Sequence, residues 1–501
     1  MSKATQSDSS ALPRQFQSAT QWLALLRERS IGAVELLELH LKQIEKHNGK
    51  LNLVVAQDIE GALQAARQAD SRPRSELPPL HGLPMTVKDT LEATGMPATC
   101  GFPFLAEHQP RQDADSVARL KAAGAIVFGK TNVPSGAFDW QSYNTLYGTS
   151  NNPWDTTRSP GGSSGGPAGA IAAGFSPLEL GSDLGGSIRV PAHFCGVYGH
   201  KPSYGIVPAR GHIPPMPGNY TTYEMAVLGP MARSAQDLEL ALDVLASPAE
   251  LSRPAWRVAI PPSRKERLQD FKVAVWADAR TYAVDSRCLE AIQRYAQDLR
   301  RLGVTVDEKA RPEIDWQAAY ETYLATLLPM MGSGLPPEAV QQLIKSGAGQ
   351  PPTSYLARAA RALTMPYYGY LGVISEQRER LFRSWRDFFT GYDLLICPNS
   401  PTVAYAHDHR GDGASDPITV CEARSTIVDG SPRPYFDGLQ WPSLAVCANL
   451  PATAVPTGRF VENMPLGVQL IGPFLEDRTP MRFAQLVERE LGGFAPPPHC
   501  L

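Results

Sequence analysis

Two glycine turns that each carry serine are the places in this chain where residue type and spacing point to chemistry: GGSSGG at 161–166 and GGS at 185–187. Glycine reaches positive φ without steric cost, so such turns can be tight and can bare several backbone N–H groups. A hydroxyl beside bared N–H groups suits acyl transfer: the oxygen attacks a carbonyl, and the N–H groups hold the oxygen that becomes negative. Ser187 is the candidate nucleophile, with the N–H groups around Leu184–Ser187 as donors. The attack needs a base, and Lys88 offers one at the end of the apolar run GLPMTVKD. Lysine accepts a proton only when neutral, and its reference pKa is about 10.4, so burial or nearby cations must lower it. Met85, Thr86 and Val87 precede Lys88, which predicts that its stem leaves a buried strand. Ser163 could relay the proton between Lys88 and Ser187; the 24 residues separating the serines leave room for one helix and one strand between converging turns.

Other readings of the same glycines compete. GGSSGGPAGA lacks the Gly-Lys-Ser/Thr ending of a phosphate-binding loop, and no GxGxxG follows a strand. Gly161–Gly165 does satisfy G-x-S-x-G, which would make Ser163 the nucleophile of a strand-to-helix elbow, with His407 or His409 as base. That elbow needs an apolar strand before it, whereas NNPWDTTRSP is made of turn formers. Asp183 and Arg189 flank the second turn and are expected to pair and hold its shape. His193, His200 and Cys195 read as structural, Cys195 as a small buried apolar residue. Neither HExxH nor paired cysteines occur, so no metal and no cofactor are expected. Phe138, Trp140, Tyr143 and Tyr147 lie in the irregular stretch 130–155, where they either line a pocket or pack as ordinary loop residues.

Elements must position these groups. Apolar residues at helical spacing predict helices over 19–30 and 32–49, then over 59–70, 116–124, 167–174, 187–194, 235–245, 285–302 and 479–491. Ser234 is the expected N-cap of the 235–245 helix. Strands are expected at 51–57, 82–89, 125–129, 178–181, 271–277, 393–397, 452–456 and 467–471, the last two paired; 199–220 reads as turns. This interleaving predicts an α/β fold with a mixed sheet covered by helices and a mainly helical insertion around 310–390. Residues 1–17 are polar and expected to be loose, and 18–501 reads as a single domain because no composition shift divides it. Of the 501 residues 43% are hydrophobic and 19% charged, with net charge −3, an ordinary globular balance without a nucleic-acid footprint. Seven cysteines, an odd number without a CxxC pair, fit a reduced compartment; with no apolar leader and no apolar run of membrane-spanning length, the expectation is a cytoplasmic protein without a membrane span.

The blocks GLPMTVKD, GKTNVP, YGTSNNPWD, SPGGSSGG, LGSDLGGSIRVPA, GVYGHKPSYG, GPMARS, LPATAVP and GVQLIGP, taken in order, resemble those of the amidase signature family over residues 20 to 490. The resemblance implies a central twisted mixed sheet between helical layers and a Ser-cisSer-Lys triad. In it Ser187 is the nucleophile, Ser163 the bridging serine in a cis peptide and Lys88 the base, with an oxyanion hole from the backbone of Leu184, Gly185, Gly186 and Ser187. By its place after the TNVP block, Ala137 matches a residue that lines the acyl pocket of related fatty-acid amide hydrolases, and Phe138 and Tyr143 are its companion pocket candidates. The chain departs from the family in having Pro167 after GGSSGG, and the N-terminal span of the membrane-anchored members is missing. The implied substrate is a small amide, anilide, carbamate or ester, and the implied state a monomer or homodimer. One branch of the family serves as the glutaminase component of a transamidating complex, with an acidic, methionine-rich block after KTN; VPSGAFDWQSYN is closer to the stand-alone amidases. A non-catalytic binding protein on the same fold is the remaining alternative.

Overall fold

The computed structural model describes residues 12–411 and 416–501. Its frame is an eleven-stranded sheet. Numbered along the chain, the strands are β1 (Val54–Gln57), β2 (Pro84–Lys88), β3 (Ile126–Thr131), β4 (Leu178–Asp183), β5 (Tyr198–Lys201), β6 (Val227–Ala232), β7 (Lys272–Val275), β8 (Thr305–Asp307), β9 (Leu394–Pro398), β10 (Ala452–Val461) and β11 (Met464–Ile471). They lie in the order β1-β3-β2-β4-β6-β5-β10-β11-β9-β7-β8. β2 runs parallel to both β3 and β4, while β4–β6, β6–β5, β5–β10 and β10–β11 are antiparallel, so the sheet is mixed. Successive strand residues face opposite sides. Every residue of β2, β3, β4, β6 and β11 is buried, so both faces of the sheet are covered there.

The register sets where chemistry can happen. Thr86 and Val87 pair with Glu179 and Leu180, so the parallel strands β2 and β4 finish side by side, one in Lys88 and the other in Asp183. Ligands in such sheets collect outside the carboxyl ends of neighbouring parallel strands.

Residues 316–388 contain helices and no strand, as the composition of that region implies. The helix Trp316–Gly332 is apolar nearly all round, and such a helix is buried rather than amphipathic. Trp316 packs on Trp276 just beyond β7, 4.7 Å between ring centroids, and Trp276 packs on Trp441 at 5.3 Å, which ties the helical layer to the sheet.

Several boundaries differ from those read off the sequence. The loose segment expected over 1–17 does not extend through 12–17: Arg14–Phe16 form a 3-10 turn, Phe16 is buried, and Arg233 donates to the carbonyls of Phe16 and Gln17 at 3.2 and 2.8 Å; residues 1–11 lie outside the described residues. The second helix runs Ala33–Leu51, through Gly49, and ends where Asn52 takes the left-handed conformation. Strands β5 and β6 stand where the sequence reads as turns or shows no element. Their residues are buried on both faces, which removes the alternation a strand usually shows, and both contain glycine or proline.

Candidate active site

Ser163 ends a turn whose Gly162–Ser163 peptide is cis. A Cβ on Gly162 would stand 2.4 Å from the Asp139 carbonyl oxygen, so only glycine lets the turn lie this close to the 139–141 backbone. The helix Gly165–Ala172 starts directly behind it, and its orphan N–H groups are all accounted for. The Ser142 hydroxyl accepts from Gly165 at 3.0 Å, the Asn132 carbonyl accepts from Gly166 at 3.2 Å, and Pro167 has no N–H to satisfy.

The turn carrying Ser187 leaves β4 at Asp183. Burial opposes ionisation of Asp183, but the Arg189 guanidinium and the donors around the carboxylate hold its pKa below the usual range. Arg189 reaches both carboxylate oxygens at 3.0 Å, so the pair expected from the sequence forms, and neither side chain is exposed. The Gly186 and Ile188 N–H groups donate to the same carboxylate, at 2.9 and 3.1 Å. Gly186 is therefore not an open oxyanion donor, contrary to expectation. Among the described residues the N–H groups of Leu184, Gly185 and Ser187 donate to no protein acceptor. Two aromatic residues aim this backbone: Tyr323 donates to the Leu184 carbonyl at 3.1 Å, and the Trp140 indole to the Gly185 carbonyl at 3.0 Å. In a planar trans peptide the N–H points away from the C=O, so each bond fixes the direction of the following N–H. The short helix expected to open at the GGS turn begins at Arg189 and runs to Cys195.

Lys88 is fully buried. Its Nζ lies 2.7 Å from Ser163 Oγ and 2.9 Å from Ser182 Oγ. Burial lowers its pKa to about 7, against the opposing pull of Cys100, Asp183 and Glu179, so a large share of it is neutral near pH 7. Ser163 and Ser187 line one cavity, with Ala137, Phe138, His212, Pro214 and Val227 among the other walls. A second, smaller recess on the Gly185 side of Ser187 is walled by Phe138, Trp140, Leu327, Met331, Phe436 and Leu439. The structure thus brings together Lys88, Ser163, Ser187, Leu184, Gly185, Ala137 and Phe138. Tyr143 is not among them: it lines a neighbouring groove, with its ring stacked on His409 and its hydroxyl accepting from Arg424 at 2.6 Å.

None of His193, His200, His407 and His409 lines the cavity that holds the two serines. His193 bonds the Thr402 carbonyl and accepts from the Gly467 N–H; His200 is held by Thr453 and Asp477. Neither His407 nor His409 lines the cavity that holds Ser163, and residues 150–160, directly before the 161–165 turn, form no strand, so the elbow reading lacks both its base and its strand. Cys195 is buried, and burial pushes its thiol pKa up, away from thiolate chemistry. Among the described residues no group of three His, Cys, Asp or Glu side chains is placed to hold a metal, and no helix is long and apolar enough to cross a membrane. Sequence reasoning missed Ser182, His212 and Tyr323, which reach the site from β4, from the loop before β6 and from the helical region. The LGSDLGGS block contains Ser182 as a visible signal; His212 and Tyr323 have none, because only the folded chain brings them near.

A family model described as Amidase matches residues 35–480. The chain belongs to the amidase signature family. It is 32% identical to a glutamyl-tRNA(Gln) amidotransferase subunit of Deinococcus radiodurans, over 94% of this chain and 97% of the relative. It is 31% identical to the indoleacetamide hydrolase of Bradyrhizobium diazoefficiens, over 92% of this chain and 84% of the relative. A solved amidase structure superposes with a TM-score of 0.75 at 27% identity, covering 95% of this chain and all of that one (100%). The mixed sheet with its helical layers is thus the fold of this amidase family, and hydrolysis of amide-type bonds is the chemistry the family shares.

Proposed function

We propose that this amidase-family chain cleaves an uncharged amide-type bond through an acyl-enzyme on Ser187, with Ser163 as proton relay and Lys88 as base. The observation that carries the reading is the 2.7 Å contact between a buried lysine amine and Ser163, whose cavity also holds Ser187. Neutral Lys88 takes the Ser163 proton as Ser163 takes that of Ser187, and Ser187 Oγ bonds to the carbonyl carbon. The N–H groups of Leu184, Gly185 and Ser187 receive the oxyanion; one such donor is typically worth about 100–1000-fold in rate. As the C–N bond breaks, the proton returns through Ser163 to the leaving nitrogen. Water then enters, gives its proton to the same relay, and releases the acid and free Ser187.

The substrate class follows from the walls. Among the described residues lining both recesses at Ser187 there is no lysine or arginine, and the acidic ones are already paired, Asp183 with Arg189 and Asp139 with Arg424. An amino-acid carboxylate would find no counter-charge there, whereas an aryl or alkyl acyl group would meet Phe138, Trp140, Leu327 and Met331. The similarity to the tRNA-dependent amidotransferase favours a second reading, a glutaminase-type component working with partner chains. One experiment separates them: purified protein incubated with neutral aryl and alkyl amides, anilides, carbamates and esters, and separately with glutamine, products read by mass spectrometry. Turnover of the neutral panel with covalent fluorophosphonate capture at Ser187 is expected. Glutamine turnover alone would transfer the assignment to the second reading, and capture at Ser163 with none at Ser187 would overturn the mechanism.

A further inference from the structure

His212 comes from the GHIPPMPG stretch before β6 and has no part in the relay as written above. Its ring lines the cavity that holds Ser163 and Ser187. Its Nδ1 lies 2.9 Å from the Pro214 carbonyl oxygen, and its Nε2 lies 2.9 Å from Ser182 Oγ, which is itself 2.9 Å from Lys88 Nζ. The directions of these bonds are fixed by valence. A carbonyl only accepts, so Nδ1 carries the ring's proton. Burial, with Lys88 adding to it, lowers the pKa of His212 to about 4, so at neutral pH the ring is neutral and Nε2 is an acceptor. Ser182 must then donate its single proton to His212, and its oxygen can only accept from Lys88. One N–H of the lysine is thereby tied to Ser182, and the amine lone pair is left to face Ser163.

We propose that His212 is a positioning residue for the base: through the Ser182 hydroxyl it orients the Lys88 amine so that its lone pair is presented to Ser163 and not consumed by Ser182. The inference rests on the Lys88–Ser163–Ser187 reading and assigns that site a fourth and a fifth member. The other titratable groups facing Lys88 are Cys100, Asp183 and Glu179, with the Asp89–Lys130 pair facing Cys100 in turn; none contacts the His212 ring through a hydrogen bond, and all stay unchanged in the variants below.

The test follows the rate of fluorophosphonate capture at Ser187 against pH, which needs no knowledge of the natural substrate. In His212→Leu the Ser182 proton loses its acceptor and turns to the lysine lone pair. The plateau rate is expected to fall about tenfold, roughly the effect of one hydrogen bond, and the midpoint to move down by about 0.5–1 pH unit, because a bond to the neutral amine disfavours its protonation. Mere loosening of the fold would do the opposite, letting water reach Lys88 and moving the midpoint up toward 10.5. His212→Gln, which keeps an acceptor, is expected to recover most of the plateau. In a Ser182→Ala background His212→Leu is expected to add nothing, since the coupling runs through that hydroxyl. An upward midpoint, failure of Gln to rescue, or full additivity with Ser182→Ala would each overturn the proposal. Lys88→Met in parallel separates the two levels: if it is captured as fast as the unaltered protein, the underlying relay is wrong; if it is silent while His212→Leu matches the unaltered protein, only the role of His212 is wrong.

Discussion

Replacing Lys88 by methionine should change how stability depends on pH, by an amount the structure sets. The lysine is fully buried and titrates at about 7, against 10.5 in an unperturbed chain. Between those values the unfolded chain binds a proton that the folded one lacks, so this group's contribution to stability is largest above 10.5 and declines as pH falls to 7. The decline is about 1.4 kcal/mol per pH unit and about 5 kcal/mol in all, below which it is constant. Methionine has similar length and does not titrate. It also leaves the Ser163 and Ser182 hydroxyls without the amine, at about 1–3 kcal/mol, but that loss does not depend on pH. Lys201, also buried and titrating at about 7, is present in both proteins and cancels. Thermal midpoints of the two proteins at pH steps from 6 to 10 should therefore diverge: relative to Lys88→Met, the unaltered protein gains stability steadily above pH 7. Parallel curves over the whole range would refute the claim that a neutralised lysine sits in this site.

Three more outcomes follow from the same geometry. Fluorophosphonate capture by the unaltered protein should rise through pH 7 and level off about one unit above it, since only the neutral amine accepts a proton; a flat profile from pH 5.5 to 9 would exclude lysine control. Tyr323→Phe keeps the ring that packs on Tyr320 but drops the hydroxyl bond to the Leu184 carbonyl that aims the Gly185 N–H, and should slow capture about tenfold with an unchanged circular dichroism spectrum. Asp183→Asn strips the buried Arg189 of its charge partner, which typically costs about 3–5 kcal/mol; a thermal midpoint within a degree of the unaltered protein would show that Gln469 and the Pro442 carbonyl suffice to hold Arg189.

Local grammar alone determined much of this protein. Ser234 caps the helix Ala235–Leu245 by accepting from the Asp237 N–H, as its place before an apolar periodic run requires. The apolar run ending in Lys88 is a buried strand, and the two short runs near the C-terminus pair as β10 and β11. The glycine turns were legible for a similar reason: Gly186 has φ of 95° and a Cβ there would meet Pro442 Cγ at 2.8 Å, so the residue type itself announces a backbone that others cannot follow.

Tertiary structure decided what depends on partners distant in sequence. Strands β5 and β6 are defined by the neighbours that bury both their faces, so no alternation marks them in one dimension. Whether an N–H of the 184–187 turn is free for an oxyanion turned on where the Asp183 carboxylate swings, which took Gly186 and left Gly185. His212, thirty residues from Ser182, and Tyr323, 139 from Leu184, carry no sign of a shared site in their own surroundings. A hydrogen bond depends on ångströms and angles between groups that strands, loops and helices together bring into place, and residue order does not encode those until the chain has folded.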